Sequence, residues 1–299
     1  MTVRSVDRPL VEQLPQAGRR NRRPLAGLLQ SAVTPRVILI GMCFLYLVPF
    51  YWMATTALKD NPELNIYPPT LWPLAPNPGN FISAIRYIPF PQFFINSVIL
   101  TAGTAIGAGI SNPLIAYGFA RIKWPGRDFV FAIVMATIFV PFPVLILGLF
   151  DVFTKLGWID TFLPLIIPAF FGNPFYIFLM RQFLLQLPVE ISDSARIDGA
   201  RELQIFWHII LPLAKPAVAV VIIFAAVAAW NEFLLPLIYL QDESRYPLAI
   251  GLQFFRSQHN VQYNLLMAAS TLVVLPVLAL FLGFQKFFIE GVSVGAVKG

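Results

Sequence analysis

Six mostly apolar stretches recur along the chain, at 37–57, 94–119, 129–150, 161–180, 216–240 and 264–285. A helix rises about 1.5 Å per residue, so about 20 apolar residues cross the hydrocarbon core of a bilayer. Inside that core every backbone polar group must be satisfied within the protein, which makes the helix the natural spanning element for such runs. The pattern predicts an all-α integral membrane protein with six transmembrane helices. The second stretch is rich in small residues from Ala102 to Ser111, which permits close helix approach. Pro141, Pro143, Pro164 and Pro168 are expected to kink the third and fourth helices or shift their ends. A short turn carrying Asp151, Lys155, Gly157 and Asp160 separates those two.

The polar connections set the orientation. Arg4, Arg8, Arg19, Arg20, Arg22, Arg23 and Arg36 precede the first span. Arg121, Lys123 and Arg127 lie in the second connection, and Arg181, Arg196, Arg201 and Lys215 in the fourth. Lys286 and Lys298 follow the last span. The opposite side holds only Lys59, Arg86, Lys155, Arg245 and Arg256. The positive-inside rule therefore places both termini in the cytoplasm. The expected organisation is a basic cytoplasmic tail at 1–36, a membrane domain at 37–286 with a cytoplasmic loop at 181–215, and a cytoplasmic C-terminal tail at 287–299. The outer segment 59–91 is rich in Pro and Asn and is expected to be extended, with one short helix at 81–87. The first 36 residues lack an early apolar core, so the first span is expected to act as an uncleaved insertion signal.

Composition agrees with this picture and narrows it. The chain of 299 residues is 58% hydrophobic and 12% charged, against roughly 25% charged for soluble domains. Its 26 prolines would damage a soluble helical protein but are tolerated among packed membrane helices. The single cysteine, Cys43, excludes an intrachain disulfide, and with two distant histidines it makes no metal signature. The N-terminal arginines read as an orientation signal against anionic lipid, not as a nucleic-acid arm.

The fourth connection carries the most information. Pro188 can open a short helix, with Glu190 in its first turn where the helix dipole favours negative charge. Ile191, Ala195 and Ile197 give that helix an apolar side, and Gly199 ends it. A second helix from Arg201 carries Ile205, Phe206 and Ile209 before Pro212 and Pro216 bend the chain into the fifth span. An amphipathic hairpin lying on lipid would explain Phe206 and Trp207. It would not explain the mixed charges of Glu190, Asp193, Arg196, Asp198, Arg201 and Glu202, which suit a protein partner better than anionic lipid.

The loop resembles the EAA motif of ABC-importer permeases, in which E-A-A is followed after three residues by Gly and later by Leu-Pro. Asp193, Ser194 and Ala195 stand at the triplet, Asp198, Gly199 and Ala200 at the D-G-A core, and Leu211-Pro212 at the tail. Two departures are Asp193 for Glu, one methylene shorter, and Ser194 for Ala. Two further runs are similar to the carbohydrate-uptake branch, the maltose-type second permease. They are Trp230-Asn231-Glu232-Phe233-Leu234-Leu235-Pro236-Leu237 and the ending Gly295-Ala296-Val297-Lys298-Gly299. Ala116-Tyr117-Gly118-Phe119-Ala120-Arg121 resembles the end of that family's second span.

The resemblance implies a type I ABC importer permease fold in the cytoplasmic membrane of a bacterium or archaeon. It implies a coupling helix that seats on an ATPase subunit, with Glu190, Asp193, Ser194, Ala195, Asp198, Gly199, Ala200 and Arg201 as the coupling residues. Residues Gly295 to Gly299 would reach toward the ATPase subunits. The implied partners are a second homologous permease, two ATP-binding subunits, an extracytoplasmic solute-binding protein, a carbohydrate and the lipid bilayer. ATP and Mg would be used by the partner subunits, because this chain has no GxxxxGK[ST] phosphate loop. The chain itself would perform no covalent chemistry and bind no cofactor.

Asn231 and Glu232 fall late in the fifth stretch, where an acidic group is by default a functional candidate. One reading is a hydroxyl-binding or gating position on the translocation path. The other is an interhelical hydrogen bond, typically ~0.6 kcal/mol in membranes. Asn96, Asn112 and Asn173 read as structural, and Trp52, Phe170 and Tyr176 as lipid-facing more than sugar-stacking. Import of glycerol phosphate or another polar solute is the alternative substrate reading. An ion-coupled secondary transporter would need an intramembrane relay, for which Glu232 is the one clear candidate.

Overall fold

The computed structural model describes residues 33–256 and 261–296, and the apolar runs in it are helical. Nearly all of the expected N-terminal tail lies outside the described residues. The chain divides into two compact units after Tyr51. The described part of the first is most of helix α1 (Val33–Ala57), apolar on all sides and exposed from Pro35 to Tyr51. A helix of that kind suits a bilayer or another protein's helices, not water.

The second unit is built around α3 (Phe90–Ala120), preceded by α2 (Gly79–Tyr87). Helix α2 falls where the sequence predicts one short outer helix. Next come α4 (Arg127–Ala136), α5 (Phe142–Lys155), α6 (Pro174–Gln186) and α7 (Glu190–Ile197). Helices α8 (Lys215–Asn231), α9 (Leu234–Tyr239) and α10 (Tyr263–Ala296) complete it. Helix α3 packs on α6, on α8 and on the 3₁₀ turn Ile167–Phe171, while α8 also packs on α10.

The small residues of α3 explain its central place. A Cβ at Gly103 would stand 2.8 Å from Ile166 Cδ1, and one at Gly107 2.7 Å from Phe170 Cδ2 and 3.2 Å from the Ala169 backbone. Ser111 Oγ donates to the Ala169 carbonyl at 2.8 Å. Close approach therefore lets side chains satisfy backbone groups that the 3₁₀ turn leaves free. Asn112, fully buried, donates to the Ala108 carbonyl and accepts from the Asn173 amide at 2.7 Å. Asn96 donates to the carbonyls of Ser244 and Tyr246. Both asparagines thus bond to backbone groups of this chain.

Among the described residues, four helices are long and apolar enough to cross a membrane, or up to six if each of two bent pairs is one span. The predicted third span is such a pair: Arg127–Phe139 and Pro143–Lys155 meet at 103°. Val140, ahead of Pro141, is extended (ψ 116°), as steric exclusion before proline requires. The predicted fourth span is also interrupted, at Gly172 (φ +91°), and α6 then runs six residues past the predicted end at 180. Asn173 caps α6 by accepting from the Phe175 amide. The predicted fifth span, 216–240, breaks at Glu232 into α8 and α9. Helix α10 continues to Ala296, so the expected tail at 287–299 begins within a helix, and Val297, Lys298 and Gly299 lie outside the described residues.

Asp160 (φ +61°) joins two connections. Its amide donates to the Tyr239 carbonyl at 2.8 Å, and its Oδ1 accepts from the amides of Gln241 and Asp242, both at 3.0 Å. Arg245 donates to its carboxylate and carbonyl. The Asp242 and Gln241 amides, with Arg245 adding, hold the Asp160 carboxyl below the usual carboxylate range. Asp160→Ala is expected to raise hydrogen exchange at the Gln241 and Asp242 amides about tenfold or more. Unchanged exchange there would remove Asp160 as the fastener.

Candidate functional site

Helix α7 is short, and its ends are defined by local chemistry. The amides of Ser192 and Asp193 donate to Val189, opening the helix two residues after Pro188. At its other end the Ala200 amide donates to Ala195 and the Gly199 amide to Arg196, both at 3.0 Å. With Gly199 at φ +84°, this is a Schellman termination. Among the described residues nothing lies within 4 Å of a Cβ built at Gly199. The glycine is thus needed for its backbone angle.

The faces of α7 divide the coupling candidates. Ala195 and Ser192 are buried, and Ala195 joins Ile205, Phe206, Tyr117 and Leu184 in the cluster beneath the loop. Glu190, Asp193, Ser194, Asp198, Gly199 and Arg201 are exposed. Ile197 is 87% exposed and does not belong to the buried apolar side on which the sequence placed it. Ala195 therefore anchors the helix to its own chain, while the acidic groups and Ile197 face outward.

Four side chains tie α7 to the membrane helices. Arg196 pairs with Asp193 at 2.6 Å and with Glu202 at 2.8 Å. Glu202 Oε2 also accepts from the Tyr117 hydroxyl of α3 at 2.6 Å. The Arg196 bond to Glu202 holds that carboxyl below its ordinary range, with Tyr117 contributing, and raises the Arg196 guanidinium. Four residues beyond Tyr117, Arg121 donates to the carbonyls of Leu184, Leu187 and Pro188, at 2.8, 2.6 and 3.3 Å. Arg121 thus binds the end of α3 to the segment leading into α7. Neither Tyr117 nor Arg121 was singled out for a coupling role from sequence. Their i, i+4 spacing at the cytoplasmic end of a predicted span was the available signal.

After Gly199 the segment Glu202–Leu213 meets α8 at 80°. Gln204 Oε1 accepts from the Arg201 amide at 2.8 Å, and a π turn at Phe206–Ile210 precedes the bend at Pro212. Deeper in the unit, α3, α6, α8 and the 3₁₀ turn enclose a cavity of about 360 Å³, with Thr104, Asn112, Asn173, Tyr176 and Glu232 among its lining. Glu232 reaches this cavity, and Asn231 does not line it. Asn231 ends α8, exposed, with its amide donating to Val227 at 2.8 Å. Glu232 lies in the break and its Oε1 accepts from the amides of Leu234 and Leu235, capping α9. Tyr176, read from sequence as lipid-facing, also lines the cavity.

The family described as "Binding-protein-dependent transport system inner membrane component" matches residues 109–294. The chain is 39% identical over 208 residues to the arabinooligosaccharides transport system permease protein AraQ of Bacillus subtilis, covering 70% of this chain and 74% of that one. It is 31% identical over 256 residues to the melibiose/raffinose/stachyose import permease protein MelC of the same organism, covering 85% and 92%. Among solved structures it resembles a bacterial ABC transporter involved in the import of the acidic polysaccharide alginate. The TM-score there is 0.75 at 22% identity, over 92% of this chain and 100% of that chain, a likeness of fold.

Proposed function

Because the chain belongs to the family of binding-protein-dependent transport system inner membrane components, we propose that it is the permease subunit of an ATP-driven carbohydrate importer. It supplies half of the translocation path and performs no covalent chemistry. The carbohydrate reading is supported by the relatives, whose named substrates are arabinooligosaccharides, melibiose, raffinose, stachyose, trehalose and maltose. The observation that carries the coupling role is the division of α7. Ala195 seats it on the body, Arg196 and Glu202 connect it to Tyr117, and Glu190, Asp193, Asp198 and Ile197 face a partner.

In the proposed assembly the bent pair α4 and α5 serves as one span and α8 with α9 as another, giving six with both termini in the cytoplasm. A second homologous permease completes the path, two ATPase subunits bind α7 and its counterpart, and an extracytoplasmic binding protein delivers the sugar. ATP and Mg are used on the ATPase subunits. The cavity bordered by Glu232, Tyr176 and Asn112 lies on this chain's side of the path. When ATPase closure displaces α7, the Arg196–Glu202–Tyr117 connection and the Arg121 fork move α3 and α6 with it. That is the usual logic of a rigid element shared by two bistable bodies.

The test is uptake into proteoliposomes holding all four membrane-associated subunits, with binding protein outside and ATP inside. Labelled arabinooligosaccharide or raffinose is expected to enter only when both ATP and binding protein are present. Uptake that follows an ion gradient without ATP would replace this reading with an ion-coupled one.

A further inference from the structure

We propose that the groove between α3, α8 and the Glu202–Leu213 segment binds one anionic glycerophospholipid, with its phosphate at Lys215 and an acyl chain along the groove. The groove has a volume of about 520 Å³. Its floor is the close approach of α3 to α8, where a Cβ at Gly109 would stand 2.8 Å from Ile222 Cγ1. Ile106, Ile110 and Val218 contribute apolar walls, and Phe206 and Trp207 line the end nearest the loop. Lys215 is the one charged residue of the lining. It is exposed, and none of the ion pairs among the described residues includes it.

An apolar trough ending in one unpaired cation matches an amphiphile with an apolar tail and an anionic head. Lys215 opens α8 beside the loop read as cytoplasmic, where headgroups lie and where basic pockets between spanning helices bind anionic lipid. Trp207 lines the same groove and is half-exposed, as suits an interfacial indole, and its N–H makes no hydrogen bond among the described residues. It is free to donate to a phosphodiester or ester oxygen. A soluble phosphate would meet Lys215 but gain nothing from the apolar walls. A helix of a second permease would cover those walls but bury Lys215 without a counter-charge, which is costly. The lipid satisfies both parts.

The test uses the full-length chain, purified in detergent and delipidated, with lipid adducts counted by native mass spectrometry. The probes are dioleoylphosphatidylglycerol and dioleoylphosphatidylcholine. Wild type is expected to favour the anionic lipid about fivefold at one site, the size of effect one basic residue has near an anionic surface. Lys215→Ala is expected to bring the ratio close to one, and Lys215→Arg to keep it. Ile110→Trp, filling the groove from an exposed position, is expected to lower binding of both lipids without changing the melting temperature. An unchanged ratio in Lys215→Ala overturns the proposal. So does a disulfide between Ile110→Cys and a cysteine in a co-expressed second permease, which would place a protein helix in the groove.

Discussion

Gly199→Val is expected to lower ATP-driven uptake at least tenfold while leaving the chain in the membrane. At φ +84° a β-branched residue is strained, and left-handed geometry costs an ordinary L-residue roughly 1–2 kcal/mol. That strain acts on the bonds that end α7, Gly199 to Arg196 and Ala200 to Ala195. Relieving it would lengthen or unwind the helix and turn Glu190, Asp193 and Asp198 away from their partner. A Cβ at this position meets nothing within 4 Å among the described residues, so a fall in uptake would not come from crowding against them. Gly199→Asn is the graded control, because asparagine visits this conformation readily. If valine and asparagine both transport as well as glycine, the termination of α7 does not matter for coupling.

Arg121→Met is expected to cut the sugar moved per ATP hydrolysed about tenfold. The guanidinium fork holds three carbonyls, of Leu184, Leu187 and Pro188, at the junction between α6 and α7. Hydrogen bonds involving a charged group contribute about 1.5–3 kcal/mol each, and losing them takes that donor from the Leu187 and Pro188 carbonyls and leaves Leu184 the Leu187 amide at 3.4 Å. Methionine keeps the apolar stem and removes the fork. Arg121→Lys keeps the charge but presents a compact ammonium in place of a planar fork, so an intermediate ratio is expected. The readout separates coupling from folding, since ATP hydrolysis would continue while transport lags. A wild-type ratio in Arg121→Met would mean that the α3 link carries no motion.

Much of this protein was legible without coordinates. Apolar runs of the right length marked the long helices, because a bilayer imposes a length and a saturated backbone on whatever crosses it. The short helix α7 and its stop at Gly199 were legible because caps and left-handed turns depend on residues close in sequence. The small-residue run of α3 announced close packing, which Gly103, Gly107 and Gly109 each show.

Only the tertiary structure decided which side of each element mattered. Ala195 and Ile197 look alike in sequence, yet one is buried under the loop and the other points outward, because the cluster around Phe206 and Tyr117 lies on one face of α7. The break that gives Glu232 two backbone donors was hidden inside an apolar run, since hydropathy does not register a helix that stops and restarts. Arg121 and Leu184 are 63 positions apart, and Tyr117 and Glu202 are 85. Those pairings depend on how α3 and α6 cross. Local propensity and bilayer thickness fixed the elements of this chain, while long-range packing chose the partners that connect them.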